Sequence, residues 1–195
     1  SLLKGASLTL QVFAFVLMLS IPLGIVVAFM LQLRSKILHG LLTIYIWIMR
    51  GTPLLLQLIF IYYVLPSIGI RIDRLPAAIT AFTLNYAAYF AEIFRGGILA
   101  IPTGQYEAAK VLKLSSWQTI RYIILPQVVK IVLPSVFNEV MSLIKDTSLV
   151  YALGISDLIL ASRTAANRDA SLAPMFLAGA IYLILIGIVT IIAKR

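Results

Sequence analysis

Seven carboxylates occur in the 195 residues, and three of them, Glu92, Glu139 and Asp146, interrupt stretches that are otherwise apolar. Two cations, Arg50 and Lys145, stand in similar surroundings. An ionised side chain in an apolar medium costs on the order of ~3 kcal/mol, and is tolerated where it is buried, paired or facing water. Five such groups are too many for decoration. Asn85, Tyr89 and Glu92 fall at i, i+4 and i+7 and so share one helix face, with Tyr86 beside them. Arg95 follows Glu92 by three residues and is placed to pair with it. A second polar stripe runs through Ser135, Asn138, Glu139, Ser142, Lys145 and Asp146. Such stripes either fasten helices to one another by ion pairs and hydrogen bonds or line a polar path. The two stripes together favour the path.

Covalent and metal chemistry find no support. There is no cysteine, and the single histidine, His39, sits beside Arg34 and Lys36 where a solvated interfacial role is expected. No Gly-rich phosphate cradle appears, and no close pair of carboxylates has a metal-ligand companion. Catalytic and metal residues are therefore none, and no cofactor is expected in this chain. If ATP drives anything, another subunit must bind it. The net charge of +9 does not imply nucleic acid, because the basic residues flank apolar spans instead of gathering on one face among aromatics.

The elements that must position these groups are set by composition. An apolar fraction of 62% against 12% charged, with mean hydropathy +1.04, exceeds what a soluble core of this size needs. The chain reads as an all-α integral membrane protein, one domain over 1–195, with five transmembrane helices near the ~20 residues a bilayer demands. They are expected at about 8–33, 37–65, 75–94, 128–150 and 173–193. The first is too long for a signal-peptide core, and Pro22 should bend it. The second is too long for a simple span and is broken at Arg50-Gly51-Thr52-Pro53. Thr52 is expected there as the N-cap of a helix that restarts at Pro53. Arg50 itself fits either snorkelling to headgroups or gating. Pro134 should kink the fourth span. Residues 153–172 read as a short interfacial or re-entrant helix, and the last span as lipid-facing.

Between the third and fourth spans lies a polar segment, about 96–126, that is not shaped like a loose loop. Thr103 and Gly104 start a short helix, Ser115 with Gln118 spells a capping box for a second, and Pro126 marks the restart of a third element. Two short helices meeting at Lys113–Ser115 make a firm basic elbow able to transmit force. Counting cations places the elbow inside. With the N-terminus outside, Arg34, Lys36, Arg95, Lys110, Lys113, Arg121, Lys130, Lys194 and Arg195 are cytoplasmic, nine against the five of Lys4, Arg71, Arg74, Arg163 and Arg168.

Glu107-Ala108-Ala109 followed by Ile123, Leu125 and Pro126 resembles the EAA loop of ATP-binding-cassette import permeases, with Lys113 where that family usually has Gly. Arg50-Gly51-Thr52-Pro53-Leu54-Leu55 with Gln57, the run AYFAEIFRGGI, and Leu143-Ile144-Lys145-Asp146-Thr147-Ser148-Leu149 are similar to the polar-amino-acid branch of it. The resemblance covers nearly the whole chain. It implies the five-span permease fold of type I importers, cytoplasmic coupling helices, and a place in the bacterial inner membrane. It also implies a cytoplasmic ATP-binding-cassette ATPase that binds ATP and Mg, a second permease subunit (read as a homodimer), and an extracytoplasmic substrate-binding protein. By this resemblance Tyr106, Glu107, Ala108, Ala109 and Leu112 contact the ATPase, as a helix lies in a groove.

The substrate candidates are Asn85, Tyr86, Tyr89, Glu92, Asn138, Glu139, Ser142, Lys145 and Asp146. A carboxylate accepts a guanidinium through two parallel hydrogen bonds, so an arginine-like amino acid is expected, with Glu139 near Asn138 and Asn85 at its cationic end. Glutamine or another polar amino acid stays open. So does an ion-coupled secondary carrier or channel using the same carboxylates as proton sites, which accounts for the stripes but not for the elbow. A structural anchor accounts for neither.

Overall fold

The computed structural model describes residues 2–193, so Lys194 and Arg195, counted above as cytoplasmic, lie outside the described residues. The elements in order are α1 (Leu2–Met30), α2 (Lys36–Gly51), α3 (Leu54–Ile59), α4 (Arg74–Leu99), α5 (Thr103–Val111), α6 (Ser116–Gln118), α7 (Leu125–Asp146), α8 (Leu158–Asp169) and α9 (Ala173–Ala193). A π turn (Phe60–Val64) and a 3-10 turn (Leu65–Ile68) prolong α3, a π turn (Thr119–Ile124) joins α6 to α7, and a 3-10 turn (Thr147–Leu153) prolongs α7. No strand occurs among the described residues.

Leu2–Met30, Ser116–Leu153 and Ala173–Ala193 are each long and apolar enough to cross a bilayer, and α2 with prolonged α3 would make a fourth, broken span. The 26 residues of α4 rise about 39 Å, which is also long enough, but its polar stripe lowers its hydropathy. Several expected limits move. The first helix runs through Pro22 without interruption. The third element of the elbow begins at Leu125 with Pro126 in its first turn, as expected, but the π turn Thr119–Ile124 runs into it without a gap, so the fourth span starts earlier than residue 128. Pro134 lies inside α7 without ending it.

The core is organised on α4, which contacts α1, α7, α2 and α3, while α8 and α9 pack on each other and on α1 and α7. The cause is side-chain size. Ala77, Ala78, Ala81, Ala87, Ala88 and Ala91 are all buried, and small residues let helix backbones approach closely where no water drives them together. Gly24 of α1 presses on this face so tightly that an added Cβ would stand 2.6 Å from Phe90 Cβ. Phe82 and Phe90 fill the space that the alanines leave, with Val12, Val16 and Leu143 around them. By contrast α9 is mostly exposed, as its near-uniform apolar sequence requires of a lipid-facing helix.

The bend between α2 and α3 is 107°. Proline forces the residue before it out of the helical region, and Thr52 is extended at φ −119°, ψ 147°. Thr52 is not the N-cap of α3. That position belongs to Pro53, and Thr52 closes α2: its N–H and Oγ1 both donate to Ile48 O, at 3.1 and 2.8 Å.

The elbow forms where the sequence places it. The α5 helix ends in a Schellman motif, with Leu114 N–H on Ala109 O and Lys113 N–H on Lys110 O. Lys113 takes the left-handed conformation this motif needs, φ +53°. At once the capping box begins α6: Ser115 N–H donates to Gln118 Oε1 (2.8 Å) and Gln118 N–H to Ser115 Oγ (3.2 Å). Residues 153–172 contain α8, whose N-cap, Asp157, is fully buried against Gly5 and Thr9 of α1, so the segment is anchored in the bundle at that end.

Candidate functional site

The α2–α3 break, the middle of α4 and the second half of α7 enclose a polar cavity of about 360 Å³. Its walls are Thr52, Pro53 and Leu54 from the break, Asn85, Tyr86 and Tyr89 from α4, and Glu139, Ser142 and Asp146 from α7. Residues 139, 142 and 146 face it because three- and four-residue steps return to one side of a helix. The volume falls in the range usual for small-molecule sites.

Most polar groups around the break are fully engaged. The bend leaves the Met49 carbonyl without an intrahelical partner, and two side chains supply one: Gln57 Nε2 at 2.9 Å and Asn85 Nδ2 at 2.8 Å. Asn85 Nδ2 also donates to Gln57 Oε1 (3.0 Å), and Gln57 Nε2 to Thr52 Oγ1 (2.8 Å). Across the cavity the Tyr86 hydroxyl donates to Asp146 Oδ2 at 2.6 Å, which ties α4 to α7. Glu139 differs. Among the described residues its carboxylate makes no hydrogen bond and no ion pair, though it is half-buried.

Six of the nine substrate candidates therefore share one cavity: Asn85, Tyr86, Tyr89, Glu139, Ser142 and Asp146. Glu92 is one turn farther along α4 and lines a second cavity of about 510 Å³, with Arg50, Arg95, His39, Thr43 and Trp47 among its walls. Arg95 holds Glu92 with two parallel bonds, Nε to Oε1 at 2.8 Å and Nη2 to Oε2 at 2.9 Å, as their spacing predicts. Asn138 and Lys145 lie on the exposed side of α7, away from both cavities. Sequence reasoning missed Thr52, Pro53 and Leu54 as wall residues. The signal was present in the proline-directed break, because an interrupted helix turns its backbone toward whatever fills the gap.

Beyond the C-terminal end of α4 the elbow presents a surface of mixed character. Ala109 is buried, Tyr106 is half-buried against the cluster of Ile101, Ile124 and Val128, and Glu107, Ala108 and Leu112 are exposed. Val111, Trp117 and Tyr122 extend the exposed apolar area, which their isolated positions in the sequence did not reveal. Gln127 Nε2 donates to Gln105 Oε1 (3.1 Å) and fastens α5 to the foot of the long helix.

Three comparisons bear on this arrangement. Residues 20–195 match the model of the family described as binding-protein-dependent transport system inner membrane component. The chain is 35% identical over 195 residues to the arginine transport system permease protein ArtQ of Bacillus subtilis, covering 99% of this chain and 89% of that protein. It is 38% identical over 159 residues to the glutamine transport system permease protein GlnP of Escherichia coli, covering 80% and 73%. Among solved structures, the crystal structure of an amino acid ABC transporter with histidines superposes with a TM-score of 0.91 at 30% identity, covering 99% of this chain and 91% of that one. An inward-facing methionine ABC transporter shares the fold, with a TM-score of 0.74 at 20% identity. With nearly its whole length matched, a broken second span, a polar cavity at its centre and an elbow at one end, the chain belongs to the family of binding-protein-dependent transport system inner membrane components.

Proposed function

We propose that this chain is the permease subunit of an ATP-driven importer of polar amino acids, with a basic, arginine-like substrate in the cavity. The unpaired Glu139 carboxylate carries the reading. A cavity walled by phenols, an amide and two carboxylates has acceptors in excess of donors, which suits a cationic ligand. Asp146 already accepts from Tyr86, which leaves Glu139 as the group with full capacity for a guanidinium. The relatives named for arginine and glutamine transport support the amino-acid class.

In this reading the subunit spans the inner membrane five times, N-terminus outside, and pairs with a second copy whose presence covers the exposed polar side of α7. A soluble binding protein delivers substrate from outside. Two cytoplasmic ATPases bind ATP and Mg and grip the elbows through Tyr106, Glu107, Ala108, Ala109 and Leu112. Nucleotide must favour the outward-open state over the inward-open one, since only differential binding shifts such an equilibrium. The elbow is suited to convey that difference, because both of its helix ends are closed by hydrogen bonds.

Replacing Glu139 by Gln tests the substrate assignment. Loss of one partner of a desolvated charge pair costs about 2–5 kcal/mol, so arginine uptake by the reconstituted transporter should fall on the order of 10²-fold while glutamine uptake changes little. Equal loss for both rejects the assignment. Uptake that continues without ATP but collapses with the proton gradient would instead indicate an ion-coupled carrier.

A further inference from the structure

Arg50 is the charged group at the bend of the broken span, and it is not among the walls of the cavity described above. Its guanidinium lies over the Tyr89 ring, 5.2 Å from the centroid. Tyr89 lines the polar cavity and Arg50 lines the second one, so this stacked pair is the partition between them. Along α4 the second cavity lies on the elbow side, beside Glu92 and Arg95.

The bonding of the three charges is unequal. Arg95 holds Glu92 with its two parallel hydrogen bonds. Arg50 approaches the same carboxylate only at 3.5 Å, well beyond the 2.7–2.9 Å of a charge-assisted hydrogen bond. Among the described residues Arg50 makes no hydrogen bond at all, and its side chain is 43% exposed toward the second cavity. One carboxylate therefore faces two guanidiniums, one firmly held and the other with its donors free. On the opposite side of Tyr89 stand Glu139 and Asp146. The partition thus separates a negative end from a positive one.

We propose that Arg50 is a second recognition point, which receives the carboxylate of the amino acid as the substrate passes from the polar cavity toward the cytoplasm. This rests on the reading of the cavity as an amino-acid site. A guanidinium presents a planar fork of donors to a carboxylate, and no other free group in the partition offers one. The substrate's cationic end stays with Glu139 while its carboxylate draws Arg50 from the face of Tyr89. Arg50 needs little energy to leave, because Glu92 keeps Arg95. No covalent step is involved.

The experiment compares arginine with agmatine, the same molecule without its carboxylate, as ligands of the assembled permease–ATPase complex in nanodiscs. The binding protein is omitted, so that only the permease's own selectivity is read, by ligand-dependent thermal protection. In the wild type, arginine should bind on the order of 10²-fold tighter than agmatine, and Arg50→Gln should remove most of that ratio by weakening arginine alone. Arg50→Lys, which keeps the charge but not the fork, should fall between. Retained ATPase activity in both variants shows that they are assembled. A ratio unchanged in Arg50→Gln, or equal weakening of both ligands, overturns the assignment and leaves Arg50 as a structural latch. If the wild type bound neither ligand, the amino-acid reading of the cavity would fall, and this proposal with it. If both bound and only Glu139→Gln abolished them, that reading would stand alone.

Discussion

The cavity lies at the middle of α4 and the elbow follows its C-terminal end, and they are stabilised by different kinds of contact. At the elbow nearly every bond is local: Leu114 to Ala109, Lys113 to Lys110, Ser115 to Gln118 and back. Around the cavity the deciding bonds span long distances in sequence, Asn85 to Met49 across 36 residues and Tyr86 to Asp146 across 60. A local structure forms early and keeps its shape while its surroundings move. A structure made of long-range bonds has its shape only while three helices stay in register. That is the division expected of a lever and of the site it acts on, and it can be broken from either side.

The largest effect should come from Gln57→Leu. The change removes one of the two donors to Met49 O and the donor to Thr52, and it leaves one buried Asn85 N–H without its acceptor. An unsatisfied buried donor alone costs about 1–3 kcal/mol. Thermal unfolding of the detergent-solubilised chain should show a loss in that range or above it, with substrate binding reduced and the elbow's amide protection intact. If stability is unchanged, the bend is held by Pro53 locally, and the contrast between the two regions fails.

A smaller effect is expected from Ser115→Ala, which removes one half of the capping box. Caps of this kind are worth about 1 kcal/mol. Hydrogen exchange in the full transporter should quicken at residues 115–119 and stay the same around Asn85 and Tyr86. Substrate-stimulated ATPase activity should fall while basal binding of arginine holds. Faster exchange that spread to α4 would mean that the elbow depends on the bundle after all.

The same contrast explains what could be read from the sequence. The capping box, the Pro53 break and the pairing of Glu92 with Arg95 all depend on residues a few positions apart, and they appear as expected. The sequence leaves the role of Thr52 ambiguous, because N-capping α3 and closing α2 use the same side chain, and in the structure Thr52 closes α2. Pro126 marks the start of α7, but nothing in the sequence shows that a π turn leads into it without a gap. Asn85 shows the deeper limit. Its helix face was evident, but its two donor hydrogens are committed to Met49 and Gln57, residues that no periodicity connects to it. That Glu139 rather than Asp146 is left unpaired likewise follows from Tyr86, sixty residues from Asp146.

The smallest predicted effect is the sharpest test of locality. Lys113 holds φ +53°, where a side chain costs about 1–2 kcal/mol and glycine costs almost nothing. The Schellman motif is nonetheless complete, so the bonds of Leu114 and Lys113 and the adjoining capping box hold the lysine in place. Lys113→Gly should therefore stabilise the elbow by about 0.5–1 kcal/mol, less than the full strain because glycine also gains freedom in the unfolded chain. The readout is slower hydrogen exchange at residues 113–116, with arginine binding unaltered. Faster exchange would mean that the lysine's ammonium, not the backbone, was fastening the turn, and the elbow would then owe its stiffness to charge instead of geometry.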